Sequence, residues 1–251
     1  MHTAPPNPIL LIHGLVGALD DPELIGAFRG RSVLAPAMLG YGEHSDVSSK
    51  LIDLHAQVDH LRDLMEETAG PSCRWHLVGH SVGGAIAALF AASHPQQVAS
   101  VTSVEGNFML DDAFWSQQLA RMPLNEVEAV LERDRANPSA WLERSGIIPD
   151  TRTIALAQRD LAYQPATTLK QVAQSVVGIT SEAAYLQLFE RWLGRIPLHL
   201  IAGERSADGW HVPEHIKTRA ATTTVLPDRG HLMMVEAPQE FAEAVLAVLQ
   251  D

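Results

Sequence analysis

The chain has 251 residues, of which 46% are hydrophobic and 19% are charged, an ordinary composition for one large globular domain that can bury a core. Its formal net charge of −12 argues against a nucleic acid or an anionic membrane surface as a partner. No apolar run is long enough to span a bilayer, the first residues lack the features of a signal peptide, and a single cysteine excludes an internal disulfide, so we expect a cytoplasmic protein.

The first third of the chain predicts two strands and a helix. Residues 9–12 are a short run of isoleucine and leucine, which is typical of a buried parallel strand, and a His-Gly-Leu-Val-Gly loop follows it at residues 13–17. Residues 31–36 predict a second strand. From Leu51 to Met65 apolar residues recur at helical spacing, and a glycine and a proline at residues 70–71 end that helix.

The most informative stretch is residues 75–84, Trp-His-Leu-Val-Gly-His-Ser-Val-Gly-Gly, followed by small and apolar residues to position 92. It predicts a strand, a sharp turn and a helix, with Ser81 at the apex of the turn. Gly79 and Gly83 have no Cβ, so the strand and the helix can approach closely there. Such a turn directs the hydroxyl away from the carboxyl edge of the sheet, above the first N–H groups of the helix.

This arrangement resembles the nucleophile elbow of the α/β-hydrolase superfamily. The resemblance implies an α/β fold with a mostly parallel, doubly wound sheet of about six strands and a helical cap insertion. Only eight residues precede the first strand, so we expect the N-terminal hairpin of that fold to be reduced. The first strand should lie between the second strand and the elbow strand, at the switch point where ligands bind.

The remainder of the chain predicts three more strands and a long helical segment. Residues 98–104, 197–203 and 222–226 predict the strands, and a closing helix begins at Pro238. Residues 108–195 contain helical patterns broken by prolines and no convincing strand. The resemblance therefore divides the chain into a hydrolase core, residues 1–106 and 196–251, and a helical cap, residues 107–195.

The resemblance also implies the site residues. Ser81 corresponds to the nucleophile, and His231, which follows the last predicted strand, corresponds to the general base. The backbone N–H groups of Leu15 and Val82 correspond to the oxyanion hole. We expect the side chain of His13 only to brace its loop.

The acid that orients the histidine has two candidates. The position usual in the superfamily, about three residues after the glycine that ends the fifth predicted strand, holds Ser206. Asp208 lies two residues later. Glu105 ends the fourth predicted strand, where some members of the superfamily carry their acid. We favour Glu105, with Asp208 as the alternative.

Other histidine pairs do not predict a metal site. His76 and His80 straddle a strand and a turn, and His211 and His215 lie near a proline, so we read neither pair as metal ligands. The inferred chemistry requires no cofactor. The oligomeric state is open.

The resemblance implies a serine hydrolase that forms an acyl-enzyme with a small apolar carboxylic ester, lactone or thioester. The large apolar residues of the cap favour such a substrate, and Met233 and Met234 are expected near the pocket. Two alternatives use the same fold: a C–C bond hydrolase or lyase with the same triad, and a ligand receptor with weakened catalysis. The large apolar residues of the predicted cap are Phe108, Met109, Phe114, Trp115, Met122, Trp141, Tyr163, Phe189 and Trp192.

Overall fold

A computed structural model describes residues 6–249 of the chain. Its single sheet has six strands in the order β2-β1-β3-β4-β5-β6, and all neighbouring strands are parallel. From β1 the chain passes to β2 at one edge of the sheet and then returns to β3 on the other side of β1. The point where the strand order reverses therefore lies between β1 and β3, as the sequence predicts. The strands are β1 (Ile9–Ile12), β2 (Val33–Leu34), β3 (Trp75–His80), β4 (Val98–Val104), β5 (Leu198–Gly203) and β6 (Thr222–Leu226).

Helices connect the strands and cover both faces of the sheet. None of those formed by residues 6–249 combines the length and the hydropathy that crossing a membrane requires. The helices are α1 (Pro22–Ala27), α2 (Leu54–Ala69), α3 (Val82–Ser93), α4 (Phe114–Arg121), α5 (Leu124–Ala136), α6 (Pro138–Arg144), α7 (Thr151–Ala162), α8 (Ala166–Thr180), α9 (Ala183–Phe189), α10 (Glu214–Lys217), α11 (Met233–Glu236) and α12 (Pro238–Val248).

Strands β1 and β3 are buried along their whole length because both of their faces are covered. Leu10 and Leu77 belong to one core cluster, together with residues of α2 and α3. Ile9 and Val78, one position away on the same strands, belong to a second cluster with residues of α1 and α12. Alternate residues of a strand point to opposite faces, so a continuous apolar run fills both clusters.

The second strand is shorter than predicted, and the elbow helix begins immediately after the serine. The predicted second strand, residues 31–36, is reduced to two residues that pair only with β1 at the edge of the sheet. Pro36, which has no N–H, could not extend this ladder as a donor. The helix after the elbow begins at Val82, immediately after Ser81, because the two glycines at 83 and 84 form part of its first turn.

Helices α4 to α9 all lie between β4 and β5, and we call them the helical insertion. Prolines mark where several of these helices begin: Pro123 and Pro165 cap α5 and α8, and Pro138 is the first residue of α6. Leu119 and Val172 of the insertion belong to the same apolar cluster as Leu77 of the sheet. The insertion is therefore packed onto the core without a break in the apolar contacts.

Candidate active site

The turn between β3 and α3 holds Ser81 in an unusual backbone conformation. Ser81 has φ of 53° and ψ of −119°, and positive φ is uncommon for any residue but glycine. Hydrogen bonds fix the turn: the Ser81 N–H donates to Val104 O (3.0 Å), and Ser81 O accepts from the N–H groups of Gly84 (2.9 Å) and Asn107 (3.2 Å). The neighbouring strand and helix thus hold the strained residue in place.

Close backbone approach explains the glycines around the serine. A Cβ on Gly79 would lie 2.2 Å from the carbonyl oxygen of Gly83, at the start of α3. A Cβ on Gly83 would lie 2.2 Å from the carbonyl oxygen of Ile12, at the end of β1. Both distances are far below van der Waals contact. The predicted approach of strand and helix is confirmed, and the second contact adds β1 to it.

His231 lies directly after the last strand and is held by two side chains. Its Nδ1 donates to Oε2 of Glu105 over 2.6 Å. The buried ring of His80 contacts the His231 ring at a tilt of 45°, with 4.6 Å between centroids, and His80 Nε2 donates to the backbone oxygen of His231 over 2.9 Å. Because Nδ1 of His231 carries its proton toward Glu105, Nε2 of the neutral ring is the acceptor.

Glu105 is a buried carboxylate with three hydrogen-bond donors. Besides His231, the Gly203 N–H donates to its Oε1 over 2.8 Å and Ser206 Oγ donates to the same oxygen over 2.6 Å. Burial by itself would raise the pKa of Glu105, but the hydrogen bonds from His231, Ser206 and Gly203 outweigh it and lower that pKa. The carboxylate is therefore ionised at neutral pH.

Asp208, the other candidate for the acid, lies elsewhere. It is exposed within a short 3₁₀ turn, and it does not line the cavity that Ser81 and His231 share. Ser206, which occupies the position usual for the acid, instead donates its hydroxyl proton to Glu105. The structure thus brings His231 together with Glu105 and not with Asp208.

The loop after β1 lies beside the serine, since a Cβ on Gly14 would lie 3.2 Å from Ser81 Cβ. The peptide joining Gly14 to Leu15 is oriented by the side chain of His13, whose Nδ1 donates to Gly14 O over 2.8 Å. The C=O and N–H of one peptide point in opposite directions, so this bond fixes the direction of the Leu15 N–H. Burial lowers the pKa of His13 to about 4, which keeps the ring neutral.

The Leu15 loop is held from its other side as well. The hydroxyl of Tyr41 donates to Leu15 O over 3.0 Å. Val82, the first residue of α3, has an N–H without an acceptor inside its own helix. Leu15 lines the cavity with Ser81, and Val82 is adjacent to Ser81 in the chain.

Ser81 and His231 line one cavity of about 800 Å³ between the carboxyl edge of the sheet and the helical insertion. Among the contacts of residues 6–249, no hydrogen bond joins their side chains; such bonds often tighten only when substrate is bound. The aromatic wall consists of Phe114, Trp115, Trp141 and Trp210. Arg133, Arg144 and Arg205 also line this cavity.

The prediction that two methionines lie near the pocket has a definite outcome. Met233 and Met234 do not line the cavity; they are buried in the core cluster under α12, and Leu232 lines the cavity instead, so the expectation for the methionines is wrong. His211 and His215 are exposed. Among residues 6–249 no group of three histidine, cysteine, aspartate or glutamate side chains could hold a metal ion.

The comparison with known families decides the affiliation of the chain. A model described as Alpha/beta hydrolase family matches residues 9–244. The chain belongs to the alpha/beta hydrolase family. The six-stranded parallel sheet and the strand–turn–helix around Ser81 are the corresponding features of this hydrolase.

Curated relatives of this hydrolase include two lipases. Lipase 1 of Psychrobacter immobilis is 27% identical over 254 residues, covering 94% of this chain and 75% of that lipase. Lipase 3 of Moraxella sp. (strain TA144) is 32% identical over 130 residues, covering 51% of this chain and 38% of that lipase. Among solved structures, a thermophilic esterase from Thermogutta terrifontis matches with a TM-score of 0.68 and 20% identity, covering 98% of this chain and 90% of that chain. At that identity, the likeness concerns the fold alone.

Sequence reasoning missed three features of the hydrolase site. Nothing in the sequence signals that His80 bonds the backbone of His231, that Ser206 bonds Glu105, or that Glu105 has a positive φ of 42°. The one signal in the sequence is the serine at position 206, where the superfamily usually has its acid, since it implies that another residue must supply the acid. The arginines of the cavity lie on separate elements and form no sequence motif.

Proposed function

We propose that this protein is a serine hydrolase of carboxylic esters in which Ser81, His231 and Glu105 form the catalytic triad. The hydrogen bond of 2.6 Å between His231 Nδ1 and Glu105 carries the proposal, because it gives the histidine the tautomer and the counter-charge that a general base needs. The strained turn at Ser81 and the lipases among its relatives support the same reaction class.

In the first step, Ser81 Oγ attacks the ester carbonyl while Nε2 of His231 takes the hydroxyl proton. The carbonyl oxygen becomes an oxyanion, which the N–H groups of Leu15 and Val82 stabilise by about 3 kcal/mol each. Glu105 remains ionised and stabilises the imidazolium. The C–O bond to the alcohol then breaks, and His231 delivers the proton to the departing oxygen, leaving an ester between Ser81 and the acyl group.

In the second step, water replaces the alcohol. His231 takes a proton from a water molecule that attacks the acyl carbonyl, and the same two N–H groups stabilise the second oxyanion. The bond between the carbonyl carbon and Ser81 Oγ breaks, and His231 returns the proton to the serine. The carboxylic acid leaves and the enzyme is restored.

The cavity supports a substrate with an apolar acyl chain. The aromatic wall includes Phe114, Trp115 and Trp141 of the helical insertion. Leu15 and Leu232 line the cavity from the core. The volume of about 800 Å³ lies within the range usual for small-molecule sites. In this proposal, the helical insertion acts as the cap that selects among esters, lactones and thioesters.

The proposal is tested by hydrolysis of p-nitrophenyl butyrate and by labelling with a fluorophosphonate probe, which reacts with activated serines. We expect the wild-type protein to hydrolyse the ester and to be labelled once. Ser81→Ala should abolish labelling and lower kcat by at least about a thousandfold, because the nucleophile is removed.

Ser181→Ala is the matched control, since Ser181 is an exposed serine at the end of α8. It should retain both labelling and rate. Labelling of Ser81→Ala at the wild-type level would overturn the assignment of the nucleophile. A wild-type protein that is neither labelled nor active on esters would favour a receptor or a C–C bond enzyme.

A further inference from the structure

Three arginines from three different elements line one part of the cavity: Arg133 of α5, Arg144 at the end of α6 and Arg205 after β5. Their side chains are 61%, 50% and 42% exposed, so a molecule in the cavity can reach all three. The chain as a whole carries a formal charge of −12, which makes a group of cations beside the proposed nucleophile unusual for this protein.

The protein uses only a fraction of the donors that these guanidinium groups provide. Arg133 Nε and Arg144 Nη2 both donate to the same atom, Asp134 Oδ1, over 2.8 and 2.6 Å. Arg205 Nη2 donates to Glu236 Oε1 over 2.6 Å. Each guanidinium has five N–H donors. Among the contacts of residues 6–249, both terminal nitrogens of Arg133 and one of each other arginine have no protein acceptor.

The carboxylates that line the cavity, in contrast, are buried and bonded. Asp134 is occupied by Arg133 and Arg144. Glu105 accepts from His231, Ser206 and Gly203. Asp112 accepts from backbone N–H groups, including that of His211 over 2.7 Å. Of the described residues, the exposed charged side chains that line the cavity are therefore the three arginines.

Arg205 is close to the proposed reaction centre. A Cβ on Gly230, the residue before His231, would lie 3.1 Å from Arg205 Nη2, and a Cβ on Gly146 would lie 3.8 Å from the same atom. The Arg205 guanidinium thus lies between the histidine loop and the end of α6. Trp141 lines the cavity three residues before Arg144 on α6. Apolar and cationic surfaces adjoin each other.

We infer that the cavity binds esters whose acyl chain ends in an anionic oxygen group, a carboxylate or a phosphate, held by Arg144, Arg205 and Arg133. The inference rests on the proposed ester hydrolysis at Ser81 and adds a substrate class to it. The forked guanidinium matches the oxygens of either group through two parallel hydrogen bonds. The apolar chain between the anion and the scissile ester lies along the aromatic wall.

The first experiment compares kcat/KM for mono-p-nitrophenyl adipate and suberate with their methyl-capped diesters, each corrected for its rate of hydroxide hydrolysis. Four or more methylenes separate the two ends, so the anion barely changes the reactivity of the ester. We expect the anionic ester to be preferred by at least about tenfold, with the preference decreasing as salt is added.

Arg144→Gln, Arg205→Gln and the double variant should reduce this preference toward one, and Arg144→Glu should reverse it. The ratio of two substrates in the same variant cancels any general loss of activity. Arg62→Gln is the control, because Arg62 lies on the surface of α2, paired with Asp59 and Asp63. It should keep the wild-type ratio.

A binding measurement separates failure of this inference from failure of the proposed reaction. Methyl hydrogen adipate, methyl 6-phosphohexanoate and neutral dimethyl adipate are titrated calorimetrically into Ser81→Ala, which needs no turnover. Tighter binding of either anion that is lost with Arg144→Gln supports the inference and identifies the group. Equal binding of the neutral diester, or a kinetic ratio near one in a wild type active on esters, overturns it.

Discussion

At the scale of single residues, the site differs from the usual pattern of the superfamily because the proposed acid is Glu105 and Ser206 donates a hydrogen bond to it. The Glu105 N–H continues the pairing of β4 with β5 by donating to Ile201 O over 3.0 Å, while its own φ of 42° lies in the left-handed region. This conformation costs of the order of 1 kcal/mol and persists because neighbouring strands hold the residue. The carboxylate thereby meets both His231 and Ser206.

We predict that Glu105→Gln lowers kcat on p-nitrophenyl butyrate by about a thousandfold with little change in KM, because a neutral amide cannot stabilise the imidazolium. Asp208→Asn should stay near the wild-type rate, since Asp208 is exposed and does not line the cavity. Steady-state kinetics of the two variants check this. A larger loss in Asp208→Asn than in Glu105→Gln would reverse the assignment of the acid.

At the scale of elements, the start of α3 is wedged between two strands. The backbone of α3 at Gly83 approaches the ends of both β1 and β3 so closely that no side chain fits at Gly79 or Gly83. This contact brings the loop of Leu15 beside Ser81, because that loop begins where β1 ends. The position of the proposed oxyanion donors therefore depends on the packing of one helix turn.

We predict that Gly83→Ala lowers the free energy of unfolding by about 2–3 kcal/mol, because the added methyl group must displace the backbone of β1. Gly178→Ala is the matched control: Gly178 is an exposed residue of α8, and an added Cβ there meets nothing within 4 Å. It should raise stability by up to about 1 kcal/mol through helix propensity. Urea unfolding measures both. Equal stability of the two variants would contradict the close packing of α3 against β1 at Gly83.

At the scale of the whole molecule, the helical insertion is bound to the loop that carries Leu15. The Gly17 N–H donates to Gln164 Oε1 over 3.2 Å, and the buried Asp160 accepts from the Ala18 N–H and from Arg159 Nη2 over 2.9 Å. Burial raises the pKa of Asp160 to about 6, although Arg159 opposes that shift. One carboxylate thus connects the insertion to the loop after β1.

The raised pKa of Asp160 has a consequence for stability. Between its ordinary pKa of 3.8 and about 6, the folded state binds more protons at this residue than the unfolded state does. The contribution of Asp160 to stability is therefore present at low pH and lost as pH rises through this window. We expect the free energy of unfolding of the wild type to decrease by up to about a few kcal/mol between pH 4 and pH 6.5 because of this residue, and Asp160→Asn to lack that decrease.

Urea unfolding of the wild type and Asp160→Asn at several pH values measures this difference. Asp63→Asn serves as the control, because Asp63 is an exposed carboxylate of α2. The prediction fails if the wild type and Asp160→Asn lose stability in parallel across the window.

Local patterns were sufficient to predict most elements of this fold. The apolar run of β1 and the glycines around Ser81 each express a constraint between residues that are close in the chain. The predicted second strand is longer than the observed one, because its length depends on its position at the edge of the sheet rather than on its own residues. The methionines after His231 were misplaced, because a four-residue helix turned them into the second core cluster.

The sequence by itself determined the parallel sheet, the helical insertion and the positions of Ser81 and His231 after their strands, since each depends on periodicity or on a motif of adjacent residues. Only the tertiary structure decided that His231 bonds Glu105 and not Asp208, and that three arginines face one cavity. These contacts join residues tens of positions apart. Their geometry is fixed by strand register and helix packing, which no local pattern encodes.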